Sequence, residues 1–241
     1  MANNISDLNA LVDRKIQDKG AFLTSADVDA LVVEAVKQYS RYRPRIVVED
    51  VSGDGGFDYP LTGASAVLTS WEKGFSEVGK LVYPVDDTSQ VEAAVDEDDF
   101  AVITKVVSGS PNDYLRFLAA TPLATKIFRV FYSARHVLDA SSSTLPPADD
   151  EALANLASAL CLEAIAARYL STKDPSLDAD VTDYRSRADE SRRLAEKFRR
   201  AFLDHLGIQD AAAPPGAGAV VDTDLGFQWR RPFLFHGKRN R

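Results

Sequence analysis

An alanine- and leucine-rich segment from about Ala148 to Leu170 constrains this chain more than any other feature. It is apolar over much of its circumference, and Pro147 before it suits the first turn of a helix. A helix that is apolar on most sides is buried on several sides. The sequence therefore predicts a buried helix. The helices before and after the inserted residues 45–146 must pack on each other.

Two N-terminal helices are predicted by their apolar spacing. From Leu8 to Ile16 apolar residues recur at three- and four-residue steps. The stretch from Thr24 to Asp27 resembles a capping box, with Asp in the place where Glu is commoner. Pro44 ends the second helix, because the residue before a proline is pushed out of the helical region.

The last predicted helix runs from about Leu177 to Leu206, and Gly207 stops it. Its apolar stripe alternates steps of four and three residues, which keeps one seam facing a partner helix. Acidic residues come early in this helix and basic residues late, as the helix dipole favours.

The region between the helices is β-rich. Residues 45–51 and 100–107 are rich in Val and Ile, and turn-forming residues lie at 52–56 and 108–113. Residues 114–119 and 126–135 are predicted as two further strands. We expect one small, mostly antiparallel sheet joined by tight turns.

The predicted fold class is α+β. It consists of a mainly helical core, formed by N-terminal helices and a long C-terminal helix pair, with an inserted antiparallel sheet and an extended C-terminal tail. The predicted parts are residues 1–44 and 147–208 for the core, 45–146 for the β-rich insertion, and 209–241 for the linker and tail.

Composition excludes several classes of protein. The chain has 241 residues, 45% of them hydrophobic, and a net charge of −8, which is a globular balance and argues against a general nucleic-acid binder. The single cysteine excludes an internal disulfide framework and a multi-thiolate metal site. We expect neither a membrane span nor a secretory signal.

Residues that could carry chemistry are scattered. The histidines are His136, His205 and His236, and none has another ligand at metal-binding spacing. Cys161 lies mid-helix and is expected to be buried and inert. The stretch from Ser52 to Asp58 faintly resembles a calcium loop, but a hairpin turn is the preferred interpretation. No catalytic motif is present, so we predict a protein that is not an enzyme and holds no metal or cofactor. A carboxylate-based hydrolase stays open as an alternative.

Charge is unevenly distributed. The stretch from Asp86 to Asp99 holds seven acidic residues and no Lys or Arg, whereas residues 228–241 hold five Lys or Arg and no acidic residue. Patches of opposite sign on one chain favour contact with complementary partners, including other copies of the chain. Solvated charge runs are the alternative.

The basic C-terminal end is the most informative segment. It is too apolar for a free end, and Trp, Phe and Arg are enriched at interface hot spots. A linker from Ala211 to Ala219 would let this end extend away from the domain to a partner. We predict an anchoring peptide that orders on a partner through Trp229, Arg230, Arg231, Phe233, Leu234, Phe235, Lys238, Arg239 and Arg241. Folding back onto its own domain and nucleic-acid contact are the alternatives.

Several segments carry a family resemblance: Leu11–Ile16, Thr24–Pro44, Trp71–Phe75, Val82–Pro84, and Leu145–Leu153 leading into the alanine-rich helix. In order and style, residues 1–208 resemble the head-to-tail adaptor (connector) proteins of tailed bacteriophages. The resemblance implies a helical core with an inserted β part and a dodecameric ring docked on the portal protein. It also implies contact with the next neck or tail component, and a C-terminal extension anchored on the portal.

The resemblance further implies a place in the virion neck, with assembly in the host cytoplasm and no membrane. DNA would pass through the ring without sequence-specific binding. An acidic body fits such a channel, and ring closure needs head-to-tail contacts between identical copies. Another neck or tail-completion protein, binding the tail side, is the nearest alternative.

Overall fold

The computed structural model describes residues 4–17, 22–85, 93–107, 109–119, 121–171 and 184–208. The helices in this part of the chain are α1 (Ile5–Ile16), α2 (Ser25–Tyr42), α3 (Asp150–Ser171) and α4 (Tyr184–Leu206). The strands are β1 (Arg45–Ser52), β2 (Asp58–Pro60), β3 (Val78–Val82), β4 (Phe100–Val107), β5 (Ser110–Phe117) and β6 (Ile127–Ala134). Short 3-10 helices span Glu97–Asp99 and Pro147–Asp149.

The two predicted N-terminal helices are present: α2 begins where the sequence predicts, and α1 begins at Ile5, three residues before the predicted stretch from Leu8. In α1 the Asn4 side chain accepts a hydrogen bond from the main chain of Asp7 at 3.0 Å. In α2 the predicted capping box is present, because Thr24 and Asp27 each accept a hydrogen bond from the other's main-chain N–H. The helix ends at Tyr42, two residues before Pro44.

Helix α3 is the centre of the helical core, as its composition predicts. It packs against α1, α2 and α4, and its buried residues include Leu153, Leu156 and Cys161. By length and composition alone, the segment Pro147–Leu170 could cross a membrane. However, 61% of its apolar stretch of 18 residues is buried inside the protein. We therefore interpret it as a core helix.

Helix α4 covers α3 with the predicted seam. Ala188, Ala195 and Phe202 are buried in steps of seven residues, and Gly207 follows in the left-handed region at φ 74°. The first part of the predicted helix, residues 177–183, lies outside the described residues.

In its described residues the β-rich region contains two antiparallel sheets, so the prediction of one sheet is wrong. We call residues 45–134 the β-module. Its three-stranded sheets have the orders β1-β6-β3 and β2-β5-β4. Strand β3 escaped prediction because Gly79 and Lys80 interrupt its apolar pattern. Strand β5 begins at Ser110, inside a predicted turn, since Ser110 to Asp113 pair with β4.

The two sheets enclose their own core. Along β6 the predicted alternation holds, with Phe128, Val130 and Tyr132 fully buried. The rings of Phe128 and Phe117 lie 5.2 Å apart in an edge-to-face arrangement, and Tyr59 lies 4.7 Å from Phe128. The fold is thus α+β, with a helical core and inserted antiparallel sheets.

Candidate interaction surfaces

A buried carboxylate holds the ends of two core helices together, directly before the β-module. Asp149 is 3% exposed and accepts hydrogen bonds from the Tyr39 hydroxyl at 2.5 Å and from Arg43 at 3.0 Å. Nε2 of His205 lies 2.7 Å from its other oxygen. We call these four residues the junction cluster. It ties the C-terminal ends of α2 and α4 together, directly before β1 begins.

Ionisation at the junction cluster follows from its hydrogen bonds. Burial acts to raise the pKa of Asp149, but hydrogen bonds from Tyr39, His205 and Arg43 outweigh it and hold this pKa below its ordinary value. Burial, together with the Asp149 carboxylate, raises the pKa of the Tyr39 hydroxyl. The Asp149 carboxylate is therefore charged, and both of its oxygens already have partners among Tyr39, Arg43 and His205.

His136 provides a second brace beside the junction cluster. Its Nδ1 lies 2.9 Å from the main-chain oxygen of Thr144, and its Nε2 lies 3.0 Å from that of Arg43. Burial lowers the pKa of His136. Both ring nitrogens are engaged by the main chain, so the position is structural and offers no open metal ligand.

The far end of the β-module has a different character. Strand β1 leaves the junction at Arg45 and reaches this far end at Ser52, and β6 returns from Ile127. Main-chain hydrogen bonds hold the turns there together. The N–H of Gly53 donates to the carbonyl of Lys126 at 2.8 Å, and that of Gly55 donates to the carbonyl of Pro122 at 2.9 Å. We call this region, comprising the described residues of 53–57, 93–99, 118–119 and 121–127, the distal end.

Large apolar side chains are exposed at the distal end. Phe57 is 58% exposed, Leu118 54% and Leu123 59%. The main chains around them are held close, since the N–H of Phe117 donates to Phe57 O at 2.9 Å and that of Leu118 donates to Asp99 O at 2.7 Å. Exposed apolar residues gathered at one end of a domain are typical of an interaction site.

The distal end is also acidic. Its described residues include the carboxylates of Asp54, Asp96, Glu97, Asp98 and Asp99, against one basic side chain, Lys126. A hydrogen bond from the Gly56 main chain lowers the pKa of Asp54. The carboxylates therefore surround apolar residues with negative charge at neutral pH, which favours a basic and apolar partner.

The outward side of α4 carries charges of both signs. Its exposed basic residues are Arg187, Arg192, Arg193, Lys197 and Arg200, against the exposed acidic residues Asp189, Glu190, Glu196 and Asp204. Arg199 is paired with Glu163 of α3 at 2.6 Å. The molecule therefore presents an acidic, apolar end on the β-module and a face of mixed charge on the helical core.

The predicted anchor lies outside the described residues. Trp229, Arg230, Arg231, Phe233, Leu234, Phe235, Lys238, Arg239 and Arg241 all fall there, as does His236. Among the histidines that are described, His136 and His205 occupy separate sites. No group of three or more metal-ligating side chains occurs in the described ranges.

The remaining predicted positions have structural surroundings. Cys161 is fully buried in α3, as expected. The stretch from Ser52 to Asp58 forms a turn in which Asp54 accepts a hydrogen bond from the Gly56 main chain at 2.7 Å. Asp58 forms ion pairs with Lys105 and Arg116, which occupy both of its oxygens. The stretch is thus a turn, but the predicted hairpin is wrong, because β1 pairs with β6 and β2 with β5, so the turn connects the two sheets.

Sequence reasoning missed both the distal end and the junction cluster. Phe57 follows a predicted turn, Leu123 lies between two predicted strands, and Leu118 was predicted near the end of a strand that stops at Phe117. Apolar residues in connecting segments are a signal that could have located part of the distal end. No comparable signal existed for the junction cluster, since Tyr39 and Asp149 are 110 residues apart. Comparison with protein-family models and with curated proteins gave no match to this chain.

Proposed function

We propose that this chain is a structural virion protein, a head-to-tail adaptor. In this role, copies of the chain assemble as a dodecameric ring on the portal protein and link the capsid to the next neck or tail component. DNA passes through the ring. The proposal assigns no enzymatic activity and no cofactor. It starts from the sequence resemblance over residues 1–208 and from the surfaces that the chain presents.

The observation that carries the proposal is the difference in charge between two separate faces. The distal end is acidic with exposed apolar residues, while the outward side of α4 has five exposed basic and four exposed acidic residues. A ring of identical subunits requires two different patches that complement each other, because each subunit contacts its neighbours head to tail. An acidic face and a face that offers basic side chains support such contacts.

The C-terminal segment supplies the proposed portal anchor. Trp229, Phe233 and Phe235 are large apolar residues, and five basic residues surround them. Aromatic and Arg side chains dominate binding energy at interfaces. A free protein that is monomeric in the absence of the portal is compatible with this role, because the anchor has its binding surface on the portal.

The test uses the full chain co-purified with the portal protein of its own virion. We expect a stable complex whose particles show twelve-fold rings by electron microscopy. In the double variant Trp229→Ala/Phe233→Ala, we expect affinity to fall by about 100-fold, corresponding to about 3 kcal/mol. The matched control is Val220→Ala/Val221→Ala in the linker, which should bind like the natural chain.

Two results would overturn the proposal in different ways. Binding to a tail-side component, with no binding to the portal, would favour the neck or tail-completion alternative. Equal portal affinity of the natural chain and the Trp229→Ala/Phe233→Ala variant would remove the anchoring role from this segment.

A further inference from the structure

We propose that residues 229–241 dock on the distal end of the β-module of their own chain before the protein meets its partner. This inference goes beyond the adaptor role, because it gives the C-terminal segment a receptor surface within the same molecule. The exposed apolar residues of the distal end, its charge, and the length of the connecting segment support this docking.

The distal end has the apolar surface that such a segment needs. Besides Phe57, Leu118 and Leu123, Ile127 is 43% exposed at the start of β6. The main-chain N–H of Val85 donates to the carbonyl of Ile127 at 2.9 Å, so this strand start is fixed in place. Burying large exposed apolar side chains against Trp and Phe removes surface from water, at about 25 cal/mol per Å².

Electrostatic complementarity also favours contact between residues 229–241 and the distal end. The described distal end carries five carboxylates and one lysine, while residues 229–241 carry five basic residues and no acidic one. Acidic side chains beside apolar ones match a segment in which basic side chains flank aromatic ones. The outward side of α4, with five exposed basic and four exposed acidic residues, has no excess of negative charge to attract the same segment. The distal end is therefore the described surface that fits it best.

The connection between α4 and residue 229 is long enough for docking within one chain. The described part of the chain ends at Ile208, two residues after α4, and His205 in the last turn of α4 contacts Asp149 at the junction. From the junction to the distal end the eight residues of β1 span about 26 Å. Residues 209–228 form a 20-residue connection. A flexible chain of that length has a typical end-to-end distance of about 25 Å.

Docking would have a consequence for assembly. It would cover the apolar residues of both the segment and the distal end in the free protein. A portal that binds the segment would have to displace it, and would thereby expose the distal end for the next contact. The two apolar surfaces would thus become available only after portal binding.

The experiment uses the full chain with a photoreactive benzophenone amino acid in place of Phe233. Irradiation followed by mass spectrometry should give cross-links to residues 53–57 and 118–127. In a Leu123→Asp background we expect the yield at these sites to fall about tenfold, the change expected from about 1.4 kcal/mol of lost docking free energy. Cross-links mainly to the helical core, or an unchanged yield, would overturn the inference.

Matched controls separate docking from folding and from general stickiness. Val106 is 73% exposed at the opposite end of β4, so Val106→Asp adds the same charge away from the distal end and should leave the yield unchanged. Both variants should have the circular dichroism spectrum and unfolding midpoint of the natural chain. An equal loss of yield in Val106→Asp would contradict docking at the distal end.

Isotope mixing distinguishes one chain from two. In an equimolar mixture of ¹⁵N-labelled and unlabelled chains, docking within a chain gives cross-linked peptides that are both labelled or both unlabelled. Mixed pairs would overturn the intrachain form and indicate exchange between copies. Portal binding is measured separately. Loss of the cross-links with portal binding retained would refute only the docking, and the converse result would refute only the adaptor role.

Discussion

The junction cluster and the distal end lie at opposite ends of β1 and use their side chains in opposite ways. At the junction, a buried carboxylate is surrounded by three donors within 3.0 Å, and Tyr39 is fully buried. At the distal end, Phe57 and Leu123 are more than half exposed beside a row of acidic residues. The first region uses its polar groups to hold two parts of the fold together. The second leaves apolar surface in water, which is a cost that a partner can remove.

Removing the carboxylate at the junction should have the largest effect on folding. In Asp149→Asn, the Arg43 and His205 donors lose their negative partner, and we expect the free energy of unfolding to fall by about 3 kcal/mol. Urea titration followed by circular dichroism measures it. Asp189→Asn on the exposed side of α4 is the control and should change stability by less than about 0.5 kcal/mol. A loss no larger than the control's would show that the junction is not a brace.

Backbone packing beneath the distal end gives the next largest effect. A Cβ atom at Gly53 would lie 2.4 Å from the carbonyl oxygen of Leu123, so Gly53→Ala must displace the main chain. We expect a loss of about 2 kcal/mol by thermal unfolding. At Gly55, where φ is +84° and no atom lies within 4 Å, Ala should cost about 1 kcal/mol through backbone strain alone. A reversed order would mean that the turns at the distal end move freely.

A smaller loss of folding stability is expected at low pH. Hydrogen bonds from Arg116, opposed by burial and assisted by Lys105, lower the pKa of Asp58 to about 2. A carboxyl whose pKa is lower in the folded state adds stability above its unfolded pKa of 3.8 and loses it as the pH falls toward 2. In Asp58→Asn, this part of the pH dependence, about 1 kcal/mol after solvent screening, should disappear. Unfolding midpoints from pH 7 to 2 provide the measurement, and parallel curves would contradict it.

The smallest change in stability is expected at the exposed apolar positions of the distal end. Leu118→Ala should alter the free energy of unfolding by less than about 0.5 kcal/mol, because more than half of this side chain is already in water. Leu115→Ala, three residues earlier and fully buried, should cost about 3 kcal/mol. If the two losses were equal, Leu118 would be a packing residue, and the distal end would not be a free surface.

Prediction from sequence succeeded where structure is local. The alternation of β6 places Phe128 and Val130 inside, and the capping box starts α2 at its expected position. It failed where an element depends on a distant partner. Strand β3 has little apolar pattern of its own and exists because β6 pairs with it. The division into two sheets likewise follows from pairings between strands that are far apart in the chain.

The candidate surfaces divide in the same way. The basic, aromatic character of residues 229–241 and the acidic character of residues 86–99 are visible in the sequence. The gathering of Phe57, Leu118 and Leu123 at one end is not, because it depends on how the turns of two sheets come together. The docking proposed here therefore combines a segment known from composition with a receptor known only from the fold.

By itself, the sequence determined the α+β class, the helix limits set by caps, Pro44 and Gly207, and the burial of α3, since each depends on neighbouring residues or on composition. Only the tertiary structure decided that Asp149 meets Tyr39, Arg43 and His205, and that exposed apolar side chains share the distal end. Those arrangements depend on contacts between residues tens of positions apart. No short-range pattern records such contacts, because they form only when the helices and sheets pack.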